Sequence, residues 1–379
     1  MPNTYDIIIS GGGLAGLSLV HHLLHSPWRE KRILLIDREQ KRANDRTWCF
    51  WEASPGPFEH LVHQRWDRLY FHGPEFGRRL DIRPYEYKMI RGIDFYRSVG
   101  AEIEAAPNVE LRYGQVERLI DAGEKGQVQL TDGSSFEADW VFNSIFFGTI
   151  DRKTCNYLDQ HFKGWVVRTS EPAFDADTAV LMDFRIPQLG ETRFFYVLPL
   201  DDRQALVELA IFSNDHLTDA GYDELIAGYL REYVTDRPYE IVHQEKGVIP
   251  MTDHPFPQRE GRILHIGTAG GHTKPSTGYT FWRLQGFLQR MVADLAASGD
   301  PLPRSLLSKR HLLYDSILLN VLLRGNLPSE RIFTDMFRKN PPARVLRFLN
   351  EETSLLEELR IMGSVPMAPF LGALVREVR

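Results

Sequence analysis

The glycine-rich turn near the start of the chain restricts the fold more than any other feature. Tyr5–Ser10 is a largely apolar run, the pattern of a strand at the centre of a parallel sheet. Gly11-Gly12-Gly13-Leu14-Ala15-Gly16 follows directly, and then Leu17, Leu19, Val20, Leu23 and Leu24 recur at helical spacing. A second apolar run, Ile33–Ile36, ends at Asp37, 21 residues beyond Gly16. Gly11 permits a tight turn, Gly13 lets a pyrophosphate approach the backbone, and Gly16 lets the helix lie close on the sheet. The free amides of the helix start, from Leu14 onward through Ala15, favour an anion. The Asp37 carboxylate suits a ribose diol. Strand, turn, helix, strand and acid in this order predict a dinucleotide site rather than a bare tight turn.

The rest of the chain says which dinucleotide. Val109–Tyr113 and Val128–Leu130 alternate like exposed antiparallel strands, with Thr131–Ser134 as a turn, and Trp140–Phe142 returns to the buried sheet. Strand-like runs continue at 165–167, 179–184, 194–198 and 205–212. A late buried strand, Ile263–Ile266, opens onto GTAGGHTKPSTGYTF (267–281), and beyond Gly278 the pattern is helical. A simple nicotinamide dehydrogenase has no use for the late strand and glycine loop, whereas a flavin fold does. We therefore expect an α/β chain with a Rossmann-like FAD-binding domain of the aromatic-hydroxylase type, an inserted antiparallel substrate domain and a helical C-terminal region. The expected divisions are 1–82, 101–160 and 247–300 for the FAD-binding domain, 83–100 and 161–246 for the substrate domain, and 301–379 for the helices. Gly267, Thr268 and Gly278 are expected along the flavin. Thr268 stands where many flavoproteins place an Asp.

Composition excludes several classes. With 43% hydrophobic and 25% charged residues the chain can fill a large core. A net charge of −6 argues against nucleic acid as a partner. The two cysteines, Cys49 and Cys155, have no metal-ligand spacing and make no disulfide framework, which fits a reducing cytosol. No metal site is expected. No run reaches the roughly 18 apolar residues of a bilayer span, and MPNTYDIIIS has neither the basic region nor the cleavage site of a signal peptide. Charge is uneven, however: residues 301–349 carry nine Lys/Arg against three acids. With Leu306, Leu307, Leu312, Leu313, Ile317, Leu318, Val321 and Leu322 on helical faces, that segment suits peripheral docking on anionic lipid.

DRTWCFW (45–51), VFNSI (141–145), RFFYVLPL (193–200), GVIPM (247–251) and PSTGY (275–279), in this order, together resemble the FAD-dependent lycopene cyclases of carotenoid-producing bacteria and plants. LEELRIMGSVP (356–366) extends the resemblance. It implies a lycopene beta-cyclase, an isomerase that closes β-ionone rings on lycopene to give β-carotene by way of γ-carotene. It also implies FAD in its reduced form, NAD(P)H as the usual reductant and no net electron transfer. Arg46, inside the first matching segment, joins the cofactor-binding candidates. Lycopene and γ-carotene in the membrane become the expected substrates, other carotenoid enzymes conceivable partners, and the cytoplasmic face of the inner membrane the expected location.

Such a reaction needs an acid in a dry site, because desolvation keeps a carboxyl protonated at neutral pH. Glu208 is the single acid in the apolar run Ala205–Phe212, and by alternation it shares a face with Leu206, Ala210 and Phe212. The family's essential glutamate matches this position. The plant-type pattern has two adjacent acids, but here Leu209 takes the second place. Trp48, Phe50, Trp51, Phe194, Tyr196, Tyr279 and Phe281 are aromatic candidates for cation stabilisation. Arg83, Glu86 and Lys88 are expected on a solvated face, as are His21, His22 and His25. The stretch 348–355, FLNEETSL, imitates the plant motif but is expected to form a solvated helical turn. Two other readings stand beside the cyclase: an FAD-dependent oxidoreductase of the same fold, such as an aromatic hydroxylase or polyprenyl reductase, and a flavin-binding module without catalysis.

Overall fold

The computed structural model of the protein describes residues 4–301 and 308–377. The expected βαβ start forms as strand Thr4–Ser10, helix Leu14–Leu24 and strand Ile33–Asp37. Ile7, Ile8 and Ile9 have no exposed surface, as befits a strand covered on both faces. The parallel sheet runs in the order Ile263–His265, Ser135–Asn143, Thr4–Ser10, Ile33–Asp37, Val109–Tyr113. Val116–Asp121 and Gly126–Leu130 add an antiparallel ladder to Ser135–Asn143. One expectation is corrected here. Val109–Tyr113 is exposed, but it is the parallel edge strand beside Ile33–Asp37, not a member of an antiparallel hairpin. Its apolar members Leu111 and Tyr113 are themselves exposed, so the alternation in the sequence reports neither a buried face nor the direction of the partner strand.

The second sheet has seven strands among the described residues. Its order is Tyr239–Thr252, Tyr157–Thr169, Gln204–Ser213, Thr192–Pro199, Thr178–Asp183, Arg68–Gly73, Phe76–Asp81. All its pairings are antiparallel except Thr178–Asp183 with Arg68–Gly73. Residues 68–81 thus pair in this sheet rather than with the glycine-turn region. Helix Gly92–Ala105 contributes Phe95, Val99 and Ile103 to the core of the parallel sheet instead. A small sheet of Thr47–Glu52, Glu86–Arg91 and Gln64–Trp66 links the two.

Strand Gln204–Ser213 shows why the second sheet needs cover on both faces. Val207, Leu209 and Ile211 pack under helix Asp219–Tyr229 with Tyr222, Ile226 and Tyr229. Leu206, Ala210 and Phe212 face the other way, into a core shared with Phe194, Phe333 and Phe337. Burying each large apolar side chain contributes about 1.5–3 kcal/mol. The C-terminal helices Lys309–Arg324, Ser329–Lys339 and Pro342–Leu349 supply that second cover.

Candidate functional site

The first helix begins without a side-chain cap and without an acid in its first turn. Its leading amides therefore point, unsatisfied by side chains, into the space beside the glycine turn. Gly11 sits at φ +97°, and a Cβ on Gly16 would lie 1.9 Å from the Gly11 carbonyl oxygen, so only glycine lets helix and turn meet. A Cβ on Gly13 would meet nothing within 4 Å. Asp37 ends its strand beside this turn, where a Cβ on Gly12 would come within 2.7 Å of its carboxylate. One Asp37 oxygen accepts the Arg38 amide at 2.7 Å, and Lys41 lies 3.6 Å away.

The late loop closes against the same turn. Ile263–His265 leads into a tight helical turn, Gly267–Gly270, which begins with Gly267 at φ +62°. A Cβ on Gly267 would lie 2.7 Å from that of Ala15, so the late loop and the first helix touch through their smallest residues. Thr268 is exposed on the rim, and its carbonyl accepts the Gly271 amide at 3.1 Å. Gly278, at φ +73°, packs on Gln160.

A cavity of about 430 Å³ joins this region to the second sheet. From the glycine-turn side it is lined by Gly13, Leu14, Ala15, Gly267 and Thr268, and from the second sheet by Phe162, Tyr196, Leu206, Glu208 and Glu245; Arg46, Tyr87, Gly278 and Tyr279 line it as well. Trp48 and Phe281 also face it, whereas Phe50 and Trp51 border a smaller neighbouring cavity and Phe194 lies in the core. Tyr87, Cys49 and Glu245 carried no sequence signal strong enough to single them out. Glu245 stands two residues before the GVIPM segment, and that nearness is the sole hint.

Glu208 reaches the cavity because the alternation of its strand holds. Burial pushes its carboxyl well above the ordinary value, and the neighbouring Glu245 charge and hydrogen bond push it the same way. Burial also raises Glu245, though hydrogen bonds from Thr47 (2.7 Å) and from Glu208, with the charges of His243 and Arg46, pull it back. Burial pushes the Tyr279 phenol up to about 12, and Tyr196 lies 3.4 Å from it, oxygen to oxygen. At neutral pH Glu208 is thus surrounded by neutral hydroxyls, aromatic faces and the carboxyl of Glu245.

Several expected surface groups are instead buried. His21 and His22 are covered because the first helix is packed between helices Gly92–Ala105 and Phe281–Ser298. His21 pairs with Glu102 at 2.9 Å and His22 with Gln285 at 2.9 Å, while His25 is exposed. Burial lowers the His22 pKa to about 4. The Nδ1 atoms of His21 and His25 and a Glu102 oxygen converge within 4.8 Å, but the fold already partners them. Lys88 is only 1% exposed and is held by Glu52 at 3.0 Å and Glu59 at 2.6 Å, with Glu86 at 3.5 Å, while Arg83 is exposed and pairs with Asp81. Local sequence hid the two nearer partners of Lys88, because Glu52 comes from the neighbouring strand and Glu59 from the short helical turn Glu59–Leu61.

FLNEETSL is not a solvated helical turn either. Only Ser354 caps a helix, through a capping box with Glu357. Glu351 lies against Lys274 (3.0 Å) and His311 (3.4 Å), and Lys274 also meets Asp315 at 2.9 Å. Burial would raise the Glu351 carboxyl, but the nearby His311 ring and the Lys274 and Arg283 charges outweigh it and hold it far below the ordinary value. The network ties the late loop to the C-terminal helices. Lys274→Met removes the cation that Asp315 and Glu351 share, leaving buried Asp315 with the Ser276 hydroxyl alone, and is expected to cost about 3–5 kcal/mol at neutral pH. A group with a depressed folded pKa stabilises above its unfolded value, here near 4.5, and that stability is lost as pH falls below it. The gap between wild type and variant in urea unfolding should therefore narrow in acid.

These features define a class before they define a member. The p-nitrophenol 4-monooxygenase of Pseudomonas putida superposes with a TM-score of 0.60 over 100% of this chain and 98% of its own, at 14% identity. The chain thus has the α/β, Rossmann-like flavoprotein fold that its sequence predicts. Its sequence relatives are narrower. Lycopene beta-cyclase of a Paracoccus species is 24% identical, covering 98% of this chain and 97% of its own. Lycopene beta-cyclase of Pantoea ananas is 23% identical with the same coverage. The model of the lycopene cyclase protein family matches residues 6–375, and the chain belongs to that family.

Proposed function

We propose that the protein is a lycopene beta-cyclase that binds FAD at its glycine turn and uses Glu208 as the acid. The observation that carries this reading is the single cavity running from the Gly11–Gly16 turn to Glu208. The residues fit a dinucleotide: the uncapped helix start supplies amides, the site of a Gly13 side chain is open, and Asp37 ends the adjacent strand. Leu14, Ala15, Gly267, Thr268, Gly278 and Arg46 would complete the binding surface. Reduced FAD, with NAD(P)H as reductant, would supply negative charge beside a cationic intermediate.

The remaining chemistry belongs to the chain. Glu208 gives its proton to the terminal double bond of lycopene; the cation closes on the neighbouring alkene, and one proton leaves the new ring. Protons and electrons balance, so the reaction is an isomerisation, and a second round on γ-carotene gives β-carotene. The walls of Leu206, Phe162 and Tyr196 exclude water that would trap the cation. Incubation with lycopene, FAD and reductant in heavy water, without oxygen, should give cyclised product carrying solvent deuterium without stoichiometric NAD(P)H use. Hydroxylated or saturated product would instead establish an oxidoreductase.

We also infer peripheral contact with the membrane that dissolves the substrate. Among the described residues no helix is long and apolar enough to cross a bilayer. The docking surface moves from where the sequence suggested. Leu306 and Leu307 lie outside the described residues, Val321 is in the core, and Ile317, Leu318 and Leu322 pack against it, while Leu312 and Leu313 are half-buried. Among the exposed apolar side chains of the C-terminal region, Leu323 is isolated at the end of helix Lys309–Arg324, whereas Leu355, Leu356 and Leu359 cluster on helix Leu355–Met362, and Met367, Leu371 and Val375 on Met367–Glu377. Leu356→Asp with Leu359→Asp should weaken sedimentation with anionic vesicles at low salt several-fold. If the wild-type chain ignores such vesicles, the membrane contact is wrong.

A further inference from the structure

Strand Tyr157–Thr169 lies between the strands that carry the two glutamates of the cavity. Gly164 is directly opposite Glu208 on one side and directly opposite Glu245 on the other. Opposite residues of antiparallel neighbours share a face, so both carboxyl side chains rise on the cavity side with a residue lacking a side chain between them. A Cβ on Gly164 would fall 3.2 Å from the Glu208 Cβ, 3.3 Å from its Oε2 and 2.9 Å from Leu206 Cδ1. The Glu208 carboxyl therefore leans over Gly164, towards Glu245. Any side chain at 164 would stand in the way.

We propose that Glu245 is a positioning residue for the acid, holding Glu208 as the proton-bearing member of a carboxyl pair that meets across Gly164. The inference rests on Glu208 being the proton donor. Two adjacent carboxyls in a dry site share one proton, because both cannot ionise together. The surroundings decide which one carries it. Burial raises Glu245 as well, but it accepts the Thr47 hydroxyl at 2.7 Å, and Arg46 and His243 draw it back toward the charged form, partners that Glu208 lacks. Glu208 is pushed toward the neutral form by burial and by Glu245. The groups facing it from the other elements, Cys49, Tyr196 and Tyr279, are neutral at pH 7 and offer it no cation.

The pair also completes the proton balance. Glu208 releases one proton to the substrate carbon, leaving two carboxylates beside the cation. The proton later lost from the ring returns to the pair, which regains its single shared proton with no outside acid consumed. The second acid absent at position 209 is thereby supplied from another strand.

Infrared difference spectroscopy and pH–rate profiles of the FAD-loaded protein test this. Wild type at neutral pH should show a protonated carboxyl band that Glu208→Gln removes and Glu245→Gln shifts. Glu245→Gln keeps the shape but removes the charge that holds the proton on Glu208. The alkaline limb of its kcat profile should therefore move down by about one pH unit, with the KM for lycopene unchanged. Gly164→Ala, which separates the two carboxyls, should move the limb the same way without altering either acid. An alkaline limb unmoved in both variants, or a carboxyl band indifferent to Glu245→Gln, overturns the proposal. If the wild-type protein cyclises no lycopene, the functional reading fails, but the infrared band still decides whether the pair exists.

Discussion

Glu208→Gln should lower cyclisation by about 10²–10⁴-fold, the range spanned by loss of a positioned general acid. Flavin affinity and thermal stability should stay close to wild type. The amide keeps the volume of the side chain and can still donate a hydrogen bond to Glu245, but it has no proton acidic enough for an alkene. Glu208 lies on the face of its strand shared with Leu206 and Ala210, where it lines the cavity. Product formation from lycopene and the flavin absorbance of the purified variant are the two measurements. Retained turnover removes Glu208 from the acid role. Lost flavin shows that the substitution acted through the fold.

Two glycine substitutions in the same turn should separate structure from binding. Gly16→Ala places a methyl carbon 1.9 Å from the Gly11 carbonyl oxygen and 3.2 Å from Ile9 Cγ2. The obstacle is backbone, which cannot rotate away, so helix and turn must part. A loss of about 1–3 kcal/mol is expected for such overpacking, together with loss of bound flavin. Gly13→Ala meets no protein atom within 4 Å. Its stability should remain within about 0.5 kcal/mol of wild type, while flavin affinity should fall if, as proposed, the pyrophosphate takes the space the methyl group would fill. Melting curves without flavin, and flavin titrations, distinguish the two. Equal stability losses would mean that the turn is only structural.

The parallel sheet was legible because its information is local. Tyr5–Ser10, the glycine run and Ile33–Asp37 each report their own burial or turn geometry, and their order admits few topologies. The face of Glu208 was legible for the same reason, since a period of two needs only its own strand. Val109–Tyr113 misled because exposure and alternation do not encode the direction of a partner strand. Lys88 and Glu351 misled because a charged residue reads as solvated until its partners appear, and Glu52, Glu59, Lys274 and His311 come from other elements.

The amino-acid sequence alone was enough to specify a Rossmann-like chain with a late glycine loop and one acid in an apolar strand, since each is written in residues close together. Only the tertiary structure decided that the loop closes on the first helix through Gly267 and Ala15. It also decided that the acid has a partner. Glu208 and Glu245 stand 37 residues apart and meet because an intervening strand from much earlier in the chain offers Gly164 between them. Sheet register brings such groups together, and register is a property of long-range pairing that no local pattern contains.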